Sequence, residues 1–318
     1  MKICVAGQGA FGQKHLDALK RIQGVEVTSL IGGNQQTTAE VAKKYGIPHY
    51  SGNLAEGIER ADAVILTTPT QMHFAQGEQC MRAGKPVLIE IPVADSTDDA
   101  ERLAAISQET GVMAMAGHVR RFNPSHQWVH KRIAAGELKV LQMDVQTYFF
   151  RRTNMNAAGK PRSWTDHLLW HHAAHTVDLF IHQTGEEPNV MYAVQGPIHS
   201  QLGIAMDMGI VLKTPSGAIL NLSLSFNNDG PLGSFFRYIC DNGTYLAYYD
   251  DLSDGKKNVI DVSKVDVSMD GIELEDREFI AAIREKRAPR AVLKDVLPCM
   301  RVLGKLEKII DPERKAHA

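Results

Sequence analysis

The chain has 318 residues, enough for about two domains that each bury their own core. Its 35 basic and 37 acidic side chains give a net charge of -2, which argues against nucleic acid or a membrane as partner. The 4 cysteines are scattered without CxxC spacing, and neither a signal peptide nor a membrane-spanning apolar run is evident. We therefore expect a cytoplasmic protein with a small-molecule partner.

Short apolar strands alternate with amphipathic helices in the first third of the chain. The strands are predicted at residues 2–6, 25–31, 63–68, 86–91 and 112–117. This alternation is typical of a parallel sheet whose strands are joined by right-handed helical crossovers. An N-terminal, doubly wound α/β domain is predicted over residues 1–120.

The pattern changes after about residue 120. Strands are predicted at 140–152, 190–194, 204–212, 218–226, 235–240 and 245–249, and helices at 124–135, 168–183, 276–285 and 294–310. Short turns between the strands, such as Asp241-Asn242-Gly243, favour antiparallel pairing. The second domain, residues 121–318, is therefore predicted to be α+β with a mostly antiparallel open sheet.

A glycine-rich turn, Gly7-Gln8-Gly9-Ala10-Phe11-Gly12, follows the first strand and opens the first helix. In this GxGxxG pattern the first glycine allows the tight turn, the second lets a pyrophosphate approach the backbone, and the third allows close packing of helix on strand. The phosphates then lie at the helix N-terminus, where free N–H groups attract negative charge. The pattern predicts a Rossmann-type dinucleotide site.

The end of the second strand bears on the choice of cofactor. It reads Ile31-Gly32-Gly33-Asn34-Gln35-Gln36-Thr37 and contains no acidic residue to bind the ribose hydroxyls of NAD. NADP is therefore favoured, with NAD as the alternative because no arginine is present to bind a 2′-phosphate. Asn34 and Thr37 are the candidate donors of neutral hydrogen bonds.

Further cofactor contacts are predicted where parallel strands end, because open α/β sheets bind ligands at the carboxyl ends of their strands. The candidates are Thr67, Thr68, Pro69 and His73 after the third predicted strand, and Glu90 and Ile91 after the fourth. His73 could equally cap a helix, and Glu90 could instead pair with a neighbouring lysine or arginine.

Sequence motifs in both halves resemble the Gfo/Idh/MocA oxidoreductase family. They are Thr67-Thr68-Pro69-Thr70-Gln71-Met72-His73, Ala83-Gly84-Lys85-Pro86-Val87, Arg121-Phe122-Asn123-Pro124 and the histidine-rich stretch from Arg162 to Asp178. That last stretch is similar to a family member of bacterial protocatechuate degradation. The resemblance implies NADP-linked oxidation of a cyclic hemiacetal to 2-pyrone-4,6-dicarboxylate, and a homodimer formed through the second-domain sheet. A sugar or dihydrodiol dehydrogenase and a non-catalytic dinucleotide-binding regulator are the alternatives.

The chain departs from the family pattern at two catalytic positions. Glu90-Ile91-Pro92 stands where the family usually has Glu-Lys-Pro, and His171 and His175 stand where it commonly has Asp-x-x-x-His. An isoleucine cannot move a proton. Neutral histidine is a suitable base near physiological pH, and a hemiacetal hydroxyl is more acidic than that of a simple alcohol.

His175 is favoured as the general base over the alternative of a histidine packed in the core. For His171, the general base and the packed core histidine are equally favoured. Both lie on one face of the predicted helix, where Asp178 could orient an imidazole, while His172 points elsewhere as a substrate-contact candidate. A zinc site built from these histidines is less favoured, and no metal is expected.

A dicarboxylate substrate needs cationic recognition, and arginine matches carboxylates bidentately. The candidates are Arg120, Arg121, Arg151, Arg152 and Arg162, each with a solvated charge as its alternative. Trp164 is a secondary candidate for the pocket wall, because aromatic residues near the start of a helix are more often core.

Overall fold

A computed structural model describes residues 1–155, 159 and 165–311 of the chain. These fall into two compact units. The first contains Met1–His118 and Ile272–Leu297, and the second contains Val119–Gly271 and the chain from Pro298 onward. The first unit is thus made from two separated stretches of sequence.

A parallel sheet forms the centre of the first unit. Its strands are β1 (Lys2–Ala6), β2 (Glu26–Ile31), β3 (His49–Ser51), β4 (Ala63–Leu66), β5 (Val87–Glu90) and β6 (Ala114–Gly117). The six strands lie in the order β3-β2-β1-β4-β5-β6, which is the doubly wound Rossmann order and confirms the predicted fold. Every residue of β4, β5 and β6 is buried, as expected for strands covered on both faces.

The second unit contains the other sheet. Its strands are β7 (Val140–Tyr148), β8 (Val190–Gln195), β9 (Asp207–Lys213), β10 (Ile219–Ser225), β11 (Gly233–Cys240), β12 (Gly243–Tyr248) and β13 (Asp251–Asp254). The seven strands lie in the order β13-β12-β11-β7-β10-β9-β8, and among the residues that the structure describes only β7 and β10 pair in parallel. The prediction of a mostly antiparallel sheet is confirmed.

Most of the helices lie where they were predicted, with changes at their ends, and the short helix at Leu54–Glu59 was not predicted. They are α1 (Ala10–Leu19), α2 (Gln35–Tyr45), α3 (Leu54–Glu59), α4 (His73–Arg82), α5 (Thr97–Thr110), α6 (Pro124–Ala134), α7 (Ala174–Thr184), α8 (Gly271–Glu285) and α9 (Leu293–Ile310). Within the described ranges, none of these helices is long and apolar enough to span a membrane.

The helix predicted at 168–183 is not uniform. Leu168–Ala173 forms a π-helix, and α7 continues from it. A π-helix closes its hydrogen bonds over five residues rather than four, so the histidines of this segment are not arranged as a regular α-helical stripe. The expectation that His171 and His175 lie on one face of a single α-helix was therefore too simple.

Candidate active site

The glycine turn of the first unit provides an open cradle for a pyrophosphate. Gly7 has φ +121, and a Cβ there would lie 2.2 Å from Thr67 Oγ1, so only glycine fits. A Cβ on Gly12 would lie 1.8 Å from the Gly7 carbonyl oxygen, which explains how closely α1 approaches the turn. A Cβ on Gly9 would meet nothing within 4 Å. The open space beside Gly9, at the start of α1 next to Ala10 and Phe11, fits a dinucleotide phosphate.

Asn34 and Thr37 form the N-terminal cap of α2. The Asn34 Oδ1 accepts a hydrogen bond from the Thr37 backbone N–H at 3.0 Å, and the Thr37 hydroxyl donates to the Asn34 carbonyl at 3.3 Å. The first turn of α2 contains no acidic residue. The end of β2 is therefore neutral, with nothing in the cap to repel a 2′-phosphate.

His73 links the ends of two strands of the parallel sheet. Its side chain is buried, and its Nδ1 and Nε2 lie 2.8 Å from the carbonyl oxygens of Pro92 and Thr68, respectively. Burial lowers the pKa of His73 despite these carbonyls. Thr68 in turn donates to Gln76 Oε1 at 2.6 Å, and Pro69 precedes a short 3-10 turn. These contacts favour a structural role for His73 and leave its contact with a cofactor a prediction.

Glu90 ends β5 and forms an ion pair, although not with a lysine or arginine as the sequence suggested. Its Oε1 lies 2.9 Å from His15 Nε2 on α1, and its Oε2 accepts a hydrogen bond from the Ile91 N–H at 3.3 Å. A Cβ on Gly117 would lie 3.0 Å from Glu90 Oε1, so the carboxylate is closely packed. Glu90 is thus fixed at the carboxyl edge of the sheet, beside Ile91.

In the second unit, His171 is held in one tautomer. Its Nδ1 accepts a hydrogen bond from the His167 backbone N–H at 2.9 Å, so the neutral ring carries its proton on Nε2. Burial lowers the pKa of His171 to about 4, against a smaller opposing effect of Asp166. Near neutral pH, His171 therefore offers a hydrogen-bond donor at Nε2 and does not have the arrangement of a general base.

His175 and His172 lie in different surroundings. His175 is half-buried in the first turn of α7. The His172 ring packs against the rings of Phe149 and Phe226, each at 5.1 Å between centroids, with its Nε2 3.7 Å from Asp166 Oδ2. His172 is thus enclosed by two aromatic side chains, and the assignment of His175 as the base stays a prediction.

Arg121 and Asp178 form a buried, bidentate salt bridge. Arg121 Nε and Nη2 donate to the two Asp178 oxygens at 2.7 and 2.5 Å, and their side chains are only 6% and 1% exposed. This pair joins the 3-10 turn Val119–Arg121 to α7. Each charge neutralises the other, which favours a structural role for both residues over direct contact with substrate.

Arg120, the neighbour in sequence, has no such partner. The residue is 9% exposed, and its guanidinium packs over the rings of Phe236 and Tyr249 at 5.6 and 5.1 Å. Among the described residues no carboxylate forms a salt bridge with it, and its Nε has no hydrogen-bond acceptor. Burial lowers the pKa of Arg120, with Tyr249 and Asp250 opposing that effect. A buried cation in this state is suited to bind an incoming anion.

The remaining arginines differ in exposure and pairing. Arg151 forms an ion pair with Asp166 and lies over the Phe226 ring, but its buried Nη1 has no acceptor among the described residues. Arg152 is exposed and donates to the carbonyl oxygens of Arg151 and Phe226 at 2.8 and 3.3 Å. Arg162 and Trp164 lie outside the described residues.

The structure adds residues that sequence reasoning did not select. Tyr249 and Phe236 frame Arg120, and Asp166 links Arg151 to His172. Tyr249 has a positive φ of 49, which is unusual for a non-glycine residue. Asp166 was within the histidine-rich stretch and carried the one available signal, a carboxylate next to clustered histidines. In the part of the chain that is described, neither His171 nor His175 belongs to a group of three ligand atoms close enough to share a metal ion.

Both halves of the chain match known protein families. Residues 1–118 match the Gfo/Idh/MocA domain, described as an oxidoreductase family with an NAD-binding Rossmann fold, and residues 124–266 match the C-terminal domain of bacterial oxidoreductases. The chain is 65% identical over 309 residues to a 4-carboxy-2-hydroxymuconate-6-semialdehyde dehydrogenase of Sphingobium sp. strain SYK-6, covering 96% of this chain and 98% of that protein.

Solved structures share the fold at low sequence identity. A UDP-N-acetylglucosamine 3-dehydrogenase from Acidithiobacillus ferrooxidans matches with a TM-score of 0.84 at 22% identity over 98% of both chains. An oxidoreductase from Agrobacterium radiobacter, solved with NAD⁺, L-tartaric acid and magnesium, matches with a TM-score of 0.82 at 15% identity, covering 99% of this chain and 97% of that one.

Proposed function

Because the chain belongs to the Gfo/Idh/MocA oxidoreductase family, we propose that it oxidises the cyclic hemiacetal of 4-carboxy-2-hydroxymuconate-6-semialdehyde to 2-pyrone-4,6-dicarboxylate. The observation that carries this proposal is the 65% identity, over 96% of the chain, to a dehydrogenase named for that semialdehyde. The reaction belongs to the cytoplasmic breakdown of protocatechuate.

The reaction removes a proton from the hemiacetal hydroxyl and a hydride from the same carbon, so that the carbon becomes the carbonyl of a lactone. A bound nicotinamide supplies the hydride acceptor. His175 accepts the proton as general base, since a neutral imidazole can do so near physiological pH. His171 acts as a donor, because its Nε2 carries the proton when Nδ1 accepts from the His167 N–H. Ile91 takes no part in proton transfer.

Two cationic groups of the second unit are suited to the substrate carboxylates. Arg120 is buried without a carboxylate partner, and the Arg151 Nη1 lacks an acceptor although the same guanidinium pairs with Asp166. A dicarboxylate would supply the missing acceptors and remove the cost of these desolvated charges. Arg120 is the stronger candidate because it forms no salt bridge among the described residues, whereas Arg151 already pairs with Asp166.

NADP is the proposed preferred cofactor. Its support is the neutral cap formed by Asn34 and Thr37 at the end of β2, where an NAD-specific enzyme commonly has an acidic residue. The cradle at Gly7, Gly9 and Gly12 would hold the pyrophosphate of either dinucleotide. A comparison of kcat/KM with NADP⁺ and NAD⁺ tests this preference directly.

A homodimer formed through the sheet of the second unit is proposed on the character of its outer face. Tyr192 on β8 pairs in register with Val211 on β9, and these side chains are 67% and 41% exposed. Val194 and Phe235 lie on the same face and are 71% and 45% exposed. Exposed apolar patches of this kind mark protein interfaces. Light scattering on the purified protein would distinguish a dimer from a monomer, and a monomeric mass would refute this proposal.

The activity is tested with the freshly prepared ring-cleavage product of protocatechuate. The purified protein is mixed with that product and NADP⁺ or NAD⁺, and the absorbance of the reduced cofactor is followed while the organic product is identified by mass spectrometry. Formation of 2-pyrone-4,6-dicarboxylate with matching cofactor reduction supports the proposal. Absence of reduction with either cofactor refutes it, and turnover of inositol or a sugar in its place would assign a different substrate class.

A further inference from the structure

A cluster of four ionisable side chains lies buried within the first unit. The His15 ring on α1 stands between two carboxylates, with Nε2 2.9 Å from Glu90 Oε1 and Nδ1 2.8 Å from Asp276 Oδ1. Glu275 on α8 completes the group. One of its oxygens, a ring nitrogen of His15 and a Glu90 oxygen lie within 4.8 Å of one another. The cluster therefore holds three acids and one base.

Glu275 is the unusual member of the cluster. It is fully buried, and neither carboxylate oxygen has a hydrogen-bond partner among the described residues. An ionised carboxylate without donors is very costly in such a place, whereas the protonated acid is tolerated. Burial raises the pKa of Glu275 well above its usual value, and the nearby Glu90 and Asp276 add to this effect against the opposing His15. Glu275 therefore carries a proton in the resting protein.

His15 has the opposite tendency. Burial alone would lower its pKa, but Asp276 and Glu90 together hold the pKa of His15 well above its usual value. His15 and Glu275 are thus the two members of the cluster that hold protons, and losing a proton from either one makes the cluster more negative by one unit of charge. Asp276 and Glu90 are the charged side chains that act most strongly on His15, and Glu90, His15 and Asp276 are those that act on Glu275.

Glu90 connects the cluster to the edge of the sheet. Its side chain is 8% exposed, whereas those of His15 and Asp276 are fully buried. Glu90 also ends β5, at the carboxyl edge where open α/β sheets bind their ligands. Glu90, the imidazole of His15 and Asp276 form a continuous chain of hydrogen bonds, and imidazole is an effective proton carrier.

We propose that this cluster is a proton-binding site linked to the redox state of the nicotinamide cofactor. An oxidised nicotinamide ring carries a positive charge that is lost on reduction, and a positive charge near Glu90 favours the more negative form of the cluster. The cluster releases a proton when oxidised cofactor binds and retains it when reduced cofactor binds. The inference depends on the proposed cofactor but not on the proposed substrate.

Calorimetric titration of the whole protein tests the linkage. NADP⁺ and NADPH, and then NAD⁺ and NADH, are titrated in buffers of different ionisation enthalpy, which yields the number of protons released for each. We expect greater release with the oxidised form. In Glu275→Gln the difference between oxidised and reduced cofactor should be lost. Glutamine resembles the neutral acid in shape and charge, so folding should be retained. Glu285→Gln, an exposed position on the same helix, should behave like the parent protein.

Infrared difference spectra of the parent protein give a second measurement that needs no variant. A carbonyl-stretching band of a protonated carboxylic acid should change between the oxidised and reduced complexes. Equal proton release with both cofactor forms, together with an unchanged band, would overturn the proposal. The proposal would also be overturned if one equivalent of a divalent metal copurified with the parent protein and were absent from Glu275→Gln. Failure of all four dinucleotides to bind would overturn the cofactor assignment, whereas binding without proton linkage would overturn this inference alone.

Discussion

Replacing Arg120 with methionine should separate substrate recognition from folding. The guanidinium is buried between Phe236 and Tyr249 and forms no salt bridge among the described residues, so an apolar side chain of similar length removes a desolvated charge without breaking an ion pair. Asp250, whose charge acts on Arg120 from nearby, keeps its hydrogen bond from the Asn123 amide. We expect the free energy of unfolding to stay the same or to rise by about 1 kcal/mol. Binding of the dicarboxylate, in contrast, should lose an ion pair.

The loss in activity can be estimated from the same contact. Removing one partner of a desolvated charge pair costs about 2–5 kcal/mol, and the low end applies because a bound substrate retains some solvent. A loss of about 2–3 kcal/mol corresponds to a fall in kcat/KM of about 30- to 160-fold. Most of it should come from a higher KM, because the carboxylate contact is present in both the ground state and the transition state.

The matched control is Arg121→Met, at the next position. Loss of the Arg121 guanidinium breaks the bidentate salt bridge to the buried Asp178, which should lower the free energy of unfolding by about 3–5 kcal/mol. Urea unfolding and steady-state kinetics on both variants give the comparison. A substrate-binding role for Arg120 is refuted if Arg120→Met destabilises the protein as much as Arg121→Met does, or if Arg120→Met keeps the kcat/KM of the parent protein.

Four further outcomes are expected. His175→Gln should lower kcat by about 10²- to 10⁴-fold while cofactor affinity, measured by fluorescence titration, is unchanged; near-normal turnover would exclude His175 as the base. Because the pKa of His171 is about 4 in the folded protein, the unfolded chain binds more protons below pH ~6.5. Stability should therefore fall as the pH drops from ~6.5 towards 4, by as much as about 3 kcal/mol, and His171→Gln should reduce that slope in urea unfolding. Gly9→Ala should change the free energy of unfolding by less than about 0.5 kcal/mol yet weaken dinucleotide binding, whereas Gly12→Ala should destabilise the fold itself. Asn34→Asp preserves a good helix cap and should shift the ratio of kcat/KM for NADP⁺ and NAD⁺ towards NAD⁺ by at least about tenfold; an unchanged ratio would mean that this position does not select the cofactor.

The sequence was sufficient for most of the fold because the signal was local. Buried strands such as Ala63–Leu66 are continuous apolar runs, and the glycine turn has its own spacing. Short, half-exposed elements carried too little signal: His49–Ser51, Leu54–Glu59 and Asp251–Asp254 were not predicted. The π-helix at Leu168–Ala173 was missed because apolar periodicity does not distinguish it from the start of an α-helix.

The candidate site was less accessible to sequence reasoning, because its properties depend on distant partners. Arg120 and Arg121 are adjacent and chemically identical, yet only the second meets a carboxylate, 57 residues away. The tautomer of His171 is set by a backbone N–H, which no side-chain pattern reveals. Glu90 was predicted to contact the cofactor, with an ion pair to a lysine or arginine as the alternative; it pairs with His15, and its contact with the cofactor stays a prediction.

The contact between His15 and Asp276 joins residues 261 positions apart. During synthesis the glycine turn and all six parallel strands leave the ribosome long before α8 exists, so the first domain to emerge is among the last to be finished. Until α8 arrives, His15 lacks one of the two carboxylates that stabilise its charge, and the part of α1 that contacts α8 remains exposed. The first unit therefore completes its buried cluster only when translation is nearly over, and surface that α8 will bury is exposed until then, which favours aggregation of the unfinished chain.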